Sequence, residues 1–166
     1  MAVTRFQVEL SIAAAVVVLD QIVKAVVRST LELHESVVVI PSFFNLTRVH
    51  NYGAAFGLMN AAEFPFKTAV LSIVATLALG ALSWYGATLP AGQRLARLGL
   101  ALIIGGAAGN LIDRLGSGYV VDFVDLYWRD WHFWAFNVAD SAISIGMALI
   151  ILDQIGVGRQ LVPETV

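Results

Sequence analysis

Asp140 is the residue whose sequence surroundings most need a chemical explanation. It lies in Phe136-Asn137-Val138-Ala139-Asp140-Ser141, about one turn inside an apolar stretch. Asn137 and Ser144 share its helical face, and no basic residue lies within a helical turn of it. A lone carboxylate there must be partly protonated, solvated in a cavity or paired across helices. Asp140 is therefore a candidate catalytic acid.

A second carboxylate at the same depth would give the pair a defined chemistry. Asp122 is flanked by Val121 and Phe123, which makes it hard to solvate, but spacing leaves three rivals open. The rivals are Asp113, Asp125 and Asp130, each of which lies near a basic residue. Two adjacent carboxylates cannot both ionise easily, so the pair holds a proton. An aspartic protease uses this state, with one carboxylate as base on water and the other as acid on the carbonyl oxygen.

Other polar residues gather at the same ends of the apolar stretches. They are Asp20, Lys24, Asn110, Asp113, Arg114 and Asn137. Asp20 and Lys24 are spaced i,i+4 with the acid first, as are Asn110 and Arg114 with the amide first, so each has a local partner. For Asp20 and Lys24 the simpler interpretation is that they join helices or reach the membrane interface.

The elements that must position these residues are membrane helices. The chain has 166 residues, 58% of them hydrophobic and 13% charged, with a mean hydropathy of +0.79. A helix needs roughly 20 apolar residues to cross a bilayer. Four stretches qualify once a few polar residues are accepted, at about 8–27, 68–88, 95–112 and 135–155. The sequence thus predicts an all-α membrane protein with a small β part, a single integral membrane domain over 1–166.

Basic residues predict the orientation of these four helices. Arg94 and Arg97 lie in the short connection after the second stretch, and Arg5 and Arg159 lie in the two tails. Lys and Arg favour the cytoplasmic side, so both termini are expected in the cytoplasm. The polar residues and both candidate aspartates then lie toward the outer leaflet of a multi-pass protein.

The long first connection, about 28–66, has a partly β pattern. Val37-Val38-Val39-Ile40 is a β-branched run stopped by Pro41. Phe44, Leu46 and Arg48 follow at period two, which suits a sheet with one solvated face. We expect a small extracytoplasmic platform here.

Composition excludes several kinds of chemistry. The chain has no Cys, and His34, His50 and His132 do not form a ligand pattern, so no metal site and no cofactor are expected. A net charge of −2 offers no basic surface for nucleic acid. Two alternatives to a protease stay open. One is a small proton-coupled carrier or channel component, and the other is an assembly subunit that packs through Gly105-Gly106.

Five blocks together resemble the bacterial lipoprotein signal peptidases, or type II signal peptidases. The blocks are Asp20-Gln21-Ile22-Val23-Lys24, Asn51-Tyr52-Gly53-Ala54-Ala55-Phe56, Gly109-Asn110-Leu111-Ile112-Asp113-Arg114, Val120-Val121-Asp122-Phe123 and Phe136-Asn137-Val138-Ala139-Asp140-Ser141. They stand in the family's order and cover nearly the whole chain.

The resemblance implies the roles of individual residues. Asp122 and Asp140 would be the catalytic pair. Positions matching the family's pocket would contact substrate or shape the site; they are Asn51, Gly53, Asn110, Arg114 and Asn137. Asp20, Lys24 and Asp113 would be polar supports of the fold.

The resemblance also implies a substrate and an architecture. The substrate would be a prolipoprotein whose Cys carries diacylglycerol, cut on the amino side of that Cys. Four transmembrane helices, an extracytoplasmic β-cradle and a short interfacial helix would lie in the bacterial inner membrane. Membrane lipid and cyclic peptide antibiotics that wedge between the two aspartates are further implied partners, and we expect a monomer.

One departure from the family's pattern lies before the last block. The family often has Pro there, whereas this chain has Trp134-Ala135. Trp128, Trp131 and Trp134 crowd this connection, and they suit either an interfacial aromatic belt or a lid over bound lipid.

Overall fold

Four helices account for most of the part of the chain that the structure describes. The computed structural model describes residues 5–53, 66–90 and 92–157. The helices are α1 (Arg5–Thr30), α2 (Lys67–Thr88), α3 (Arg94–Ser117) and α4 (Val138–Gln154). Each predicted stretch coincides with one of them, but α3 continues five residues beyond 112 and α4 begins three residues after 135. The helix α3 ends where Gly118 adopts φ 83°, a left-handed conformation that glycine favours.

Three of these helices are long and apolar enough to cross a membrane. They are α1 from Phe6 onward, α2 and α3. On α1, large apolar side chains such as Leu10, Val18 and Ile22 are exposed. Of the residues of α2, all of which the structure describes, only Ser72 is buried. Surfaces this apolar suit contact with lipid rather than water.

Helix α3 is the centre of the helical packing, with contacts to α4, α1 and α2. A Cβ atom placed on Gly105 would lie 2.7 Å from the carbonyl oxygen of Ala13 on α1. The absence of a side chain there allows the two backbones to approach closely. Gly105-Gly106, whose role the sequence left open, therefore packs inside this chain.

An antiparallel sheet lies at one end of the helices, with strand order β1-β2-β3-β4. Its strands are β1 (Ser36–Ile40), β2 (Phe44–Asn51), β3 (Val120–Trp128) and β4 (Trp131–His132). The predicted platform at 28–66 contains β1 and β2. The sheet extends beyond it, because β3 and β4 come from a connection that the sequence did not identify as strand. Positions 54–65 of that platform lie outside the described residues, as does Arg159.

The prediction of a sheet with one solvated face is too simple for β2. Asn45 and Thr47 are its buried residues, whereas Phe44, Leu46 and Arg48 are half-buried. Asn45 Nδ2 donates to Asp125, and the Thr47 hydroxyl donates to the Glu35 carbonyl. These bonds offset part of the cost of burying the two side chains. No short interfacial helix occurs among the described residues.

Arg48 joins the sheet to the end of α1. Its Nη1 donates to the carbonyl oxygens of Arg28 and Leu31, at 3.2 and 2.9 Å. A cationic donor at a helix C-terminus satisfies carbonyls that have no partner within the helix. Below this joint, Val27 of α1 and Leu31, just after the helix, pack with Val121 and Phe123 of β3. The packing holds β3, and with it Asp122, against the membrane helices.

Gly105→Ala tests the close approach of α3 and α1. The added methyl group would contact backbone atoms, so we expect a loss of about 1–3 kcal/mol in stability, measured as a lower Tm in detergent. Gly80→Ala is the matched control, because a Cβ there has no neighbour within 4 Å. Equal melting temperatures for the two variants would contradict this packing.

Candidate active site

Asn137 brings Asp122 and Asp140 together. Its side-chain Nδ2 donates to Asp122 Oδ1 at 2.7 Å, and its backbone N–H donates to Asp140 Oδ2 at 3.3 Å. In return, the Asp140 backbone N–H donates to Asn137 Oδ1 at 2.9 Å. Asn137 is the N-cap of α4, and with Asp140 it forms a capping box. The local signal that starts α4 therefore also sets one aspartate beside the other. We refer to Asp122 and Asp140 as the aspartate pair.

Two further amides complete the surroundings of the aspartate pair. Asn51 Nδ2 donates to Asp122 Oδ2 at 3.0 Å, and Asn110 Nδ2 donates to Asp140 Oδ1 at 2.8 Å. Each of the four carboxylate oxygens thus accepts one hydrogen bond from an N–H group. Such bonds favour ionised carboxylates, so they oppose the cost of burial.

The pKa of Asp122 shows the balance of these effects. Asp122 lies on β3 and is 2% exposed. Burial and then repulsion from Asp140 raise its pKa from 3.8 to about 7, against the opposing hydrogen bonds from Asn51 and Asn137. At neutral pH the aspartate pair therefore sits near the point at which Asp122 gains or loses its proton. This is the condition that acid and base catalysis by one pair requires.

Gly53 and Arg114 orient Asn51. Arg114 Nη2 donates to the Gly53 carbonyl at 2.8 Å, which ties the segment just after β2 to α3. The Gly53 backbone N–H donates to Asn51 Oδ1 at 2.9 Å. Because that oxygen is occupied, the amide nitrogen of Asn51 faces Asp122. Positions 54–56 of the second motif lie outside the described residues.

Lys24 is the centre of a buried ion cluster behind the aspartate pair. Its ammonium lies 2.8 Å from Asp20 Oδ2 and 3.0 Å from Asp113 Oδ2, and all three side chains are essentially inaccessible. Arg28 joins the cluster through Asp113 Oδ1 at 2.7 Å. We call Asp20, Lys24, Arg28 and Asp113 the ion cluster. The sequence pattern did not single out Arg28, although positions 20, 24 and 28 repeat at the spacing of one helical face.

The ion cluster also holds β3 and α4 in place. Asp113 Oδ2 accepts from the backbone N–H of Val121, the residue before Asp122, at 3.2 Å. Asp20 Oδ1 accepts from the Ala139 N–H in the first turn of α4 at 3.0 Å. Two carboxylates on α1 and α3 thus fix the two segments that carry the aspartate pair.

The structure separates Asp122 from its three rivals. Asp113 is neutralised by Lys24 and Arg28. Asp125 binds His132 at 2.9 Å and accepts from Asn45, and Asp130 is exposed. Of these acids, Asp122 alone shares a hydrogen-bond partner with Asp140 in the part of the chain that the structure describes. Spacing could not supply this distinction.

An apolar cavity of about 320 Å³ opens beside Asp140. Asn51, Asp140, Ser141 and Ser144 supply its polar wall. Its apolar wall is formed by Phe133, Trp134, Ala135, Phe136, Ile143, Ile145 and Met147. Trp134 is thus part of the cavity wall, while Trp128 and Trp131 are exposed elsewhere. Within residues 5–53, 66–90 and 92–157, no three His, Asp or Glu side chains are arranged to hold a metal ion.

The fold and the site define a class of protein: a membrane protein with two aspartates in one buried polar site, the arrangement of an aspartic peptidase. A family model described as signal peptidase (SPase) II matches residues 12–156. The chain belongs to this signal peptidase II family of aspartic peptidases.

Relatives and solved structures agree with that family. A lipoprotein signal peptidase of Syntrophotalea carbinolica is 42% identical over 93% of this chain and 94% of its own. One from Geobacter sulfurreducens is 43% identical over 88% and 90%. A bacterial membrane enzyme solved by the in meso method at 1.9 Å resolution gives a TM-score of 0.79 at 31% identity, over 90% of this chain and 93% of that one. The chain is thus a membrane protein, and the carrier alternative has no support.

Asp122→Asn tests the proton balance through stability. The raised pKa means that the folded protein keeps a proton which the unfolded chain releases between about pH 4 and 7. The contribution of Asp122 to stability therefore falls as pH rises through that window. Asn cannot titrate, so the Tm of the variant relative to wild type should rise across the window and level off above it. A Tm difference that does not change with pH would contradict the raised pKa.

Proposed function

We propose that the aspartate pair hydrolyses one peptide bond of a prolipoprotein, on the amino side of a Cys that carries diacylglycerol. Removal of signal peptides from prolipoproteins is the activity that the family and its named members support. The observation that carries the proposal for this pair is the shared partner, since Asn137 bonds to both carboxylates. No other acid of the described residues has this relation to Asp140.

The proposed reaction uses one proton on the aspartate pair. The ionised carboxylate takes a proton from water, whose oxygen attacks the scissile carbonyl carbon, while the protonated carboxyl gives its proton to the carbonyl oxygen. The tetrahedral intermediate then collapses: the carboxyl that received the proton from water protonates the leaving amine as the C–N bond breaks. The other carboxylate takes a proton back from one hydroxyl of the intermediate as the C=O bond of the product re-forms. The pair ends with one proton, as it began.

The cavity beside Asp140 is the proposed site for apolar parts of the substrate. Its aromatic and aliphatic wall suits an acyl chain or an apolar signal peptide, and Asn51 on its polar wall would face the peptide backbone. Asn110, Arg114 and Asn137 would shape the site around the aspartate pair. Cyclic peptide antibiotics, which the resemblance implies as ligands, would bind between the two aspartates. Trp134 would then act as part of a wall over bound lipid.

The membrane topology is part of the same proposal. The helix α4, at 17 residues, would be a fourth crossing of a single domain that spans 1–166. Both termini would lie in the cytoplasm and the site would face the outer leaflet of a bacterial inner membrane. Arg94 and Arg97 in the short α2–α3 connection support this orientation. The chain would act as a monomer.

Substitution of the aspartate pair tests the proposal. Asp122→Asn and Asp140→Asn should each reduce cleavage of a diacylglyceryl prolipoprotein peptide by at least about 10⁴-fold, because neither role can be filled by an amide. Asp125→Asn is the matched control, since Asp125 lies on the same strand away from Asp140 and should retain activity. The measurement is turnover in detergent with folding checked by Tm. Retained cleavage in either variant of the pair would refute the proposal.

The pH dependence of cleavage provides a second test. Loss of the proton from the aspartate pair should end acid catalysis, so kcat should fall on the alkaline side with an apparent pKa near the value of about 7 for Asp122. A kcat that stays constant well into the alkaline range would contradict a pair that depends on this proton.

A further inference from the structure

Besides its ion pairs within the ion cluster, Lys24 makes a hydrogen bond to a neutral side chain. Its ammonium contacts the carboxylates of Asp20 and Asp113, and it also donates to Asn110 Oδ1 at 2.9 Å. An ammonium has three N–H donors and no acceptor, so every donor is used. The third bond goes to a neutral amide, which in turn touches Asp140. The ion cluster is therefore connected to the aspartate pair by one side chain.

This bond is the shorter of two that fix which way the Asn110 amide points. Because Lys24 can only donate, the amide oxygen must face it, and the NH₂ group then faces Asp140 Oδ1 at 2.8 Å. Asn137 Nδ2 adds a weaker bond to the same oxygen at 3.2 Å. Without Lys24, only the longer bond from Asn137 would hold the Asn110 amide in this orientation.

The charge of Lys24 also reaches the aspartate pair. It lowers the pKa of Asp122, against the larger raising effect of burial. The other charged groups around Lys24 come from all the elements packed on it: Asp20 and Arg28 from α1, Asp113 and Arg114 from α3, Asp122 from β3 and Asp140 from α4. Asp20 and Asp113 are the nearest, so removal of Lys24 leaves two negative charges close behind the pair.

We propose that Lys24 is a positioning residue for the reaction, which fixes the Asn110 amide as a donor to Asp140 and favours the singly ionised aspartate pair. It acts through Asn110 and does not line the cavity. This inference rests on the proposed function, in which the aspartate pair performs the cleavage. Lys24 thus has a role in the reaction, in addition to the support of the fold that the family resemblance implied.

Two variants of the full-length protein separate the effect of Lys24 on the Asn110 amide from the effect of its positive charge. Lys24→Met removes the donor and the charge, whereas Lys24→Met with Asp20→Asn removes the donor but keeps the net charge. We expect kcat to fall by about 100-fold in both, with KM changed by less than about 3-fold, because a small misplacement of a catalytic group has that cost. The alkaline limb of the pH profile should move to higher pH in the single variant and stay near wild type in the charge-balanced one.

A double-mutant cycle tests whether Lys24 acts through Asn110. If it does, Lys24→Met combined with Asn110→Ala should lower kcat by no more than about the larger single effect, since the second change removes nothing further. The matched control is Glu9→Gln with Arg97→Met, which removes another ion pair between α1 and α3, one that lies at the other end of these helices. It should lower Tm but leave kcat and the pH profile unchanged.

Several results would overturn the positioning role of Lys24. A wild-type kcat in the charge-balanced variant, multiplicative effects in the cycle, or an activity loss that only follows the folded fraction would overturn the positioning role. Failure of both Lys24 variants to fold while the Glu9/Arg97 control folds would assign Lys24 to the fold alone. Asp122→Asn is assayed in parallel: cleavage by that variant would refute the proposed function itself, whereas its inactivity beside an active Lys24→Met would refute only the inference.

Discussion

Buried charge is the constraint on which the structure depends. Each ion removed from water costs several kcal/mol unless partners replace its hydration. The site buries Asp20, Lys24, Asp113 and Asp122 almost completely. Three cations, Lys24, Arg28 and Arg114, face the two carboxylates of the ion cluster and the aspartate pair. The charges sum to zero if the aspartate pair carries a single negative charge. Electroneutrality thus favours the singly protonated state that the proposed chemistry needs.

The molecule places polar groups inside and apolar groups outside, as the lipid environment requires. Its largest exposed side chains on α1 and α2 are hydrophobic, such as Ile22, Leu77 and Trp84, while its most deeply buried ones include Lys24 and Asn137. Helix α3 connects the apolar helical packing to the buried polar site. Glycines along it allow close approach to α1, and Asn110, Asp113 and Arg114 at its end connect the ion cluster, β2 and the aspartate pair.

Sequence reasoning found the features that depend on local pattern. The apolar stretches predicted the helices, because helix length and hydrophobicity are properties of contiguous residues. Asp140 could be singled out because no base lies near it along its own helix. The capping box at Asn137 and Asp140 is also local, and the absence of Pro before it does not prevent α4 from starting at Val138.

Features that depend on contacts between residues far apart in the sequence could not be derived from local pattern. The choice of Asp122 among four acids depends on Asn51 and Asn137, and the bond from Asn51 joins residues 71 positions apart. The support of α4 by Asp20 joins residues 119 positions apart. Strand β3 was not identified because its apolar run pairs with β2 only in three dimensions. Family resemblance, rather than spacing, pointed to Asp122 from the sequence.

The proposed chemistry depends on one proton that Asp122 and Asp140 share in a neutral, buried site. Infrared titration of the carboxyl C=O stretch measures this directly in the full-length protein, with Asp122→Asn as the reference. We expect one protonated carboxyl that is present in the wild type below neutral pH, absent from the reference, and lost with an apparent pKa near the value of about 7 for Asp122. A spectrum in which both carboxylates are already ionised in mildly acidic solution would contradict it.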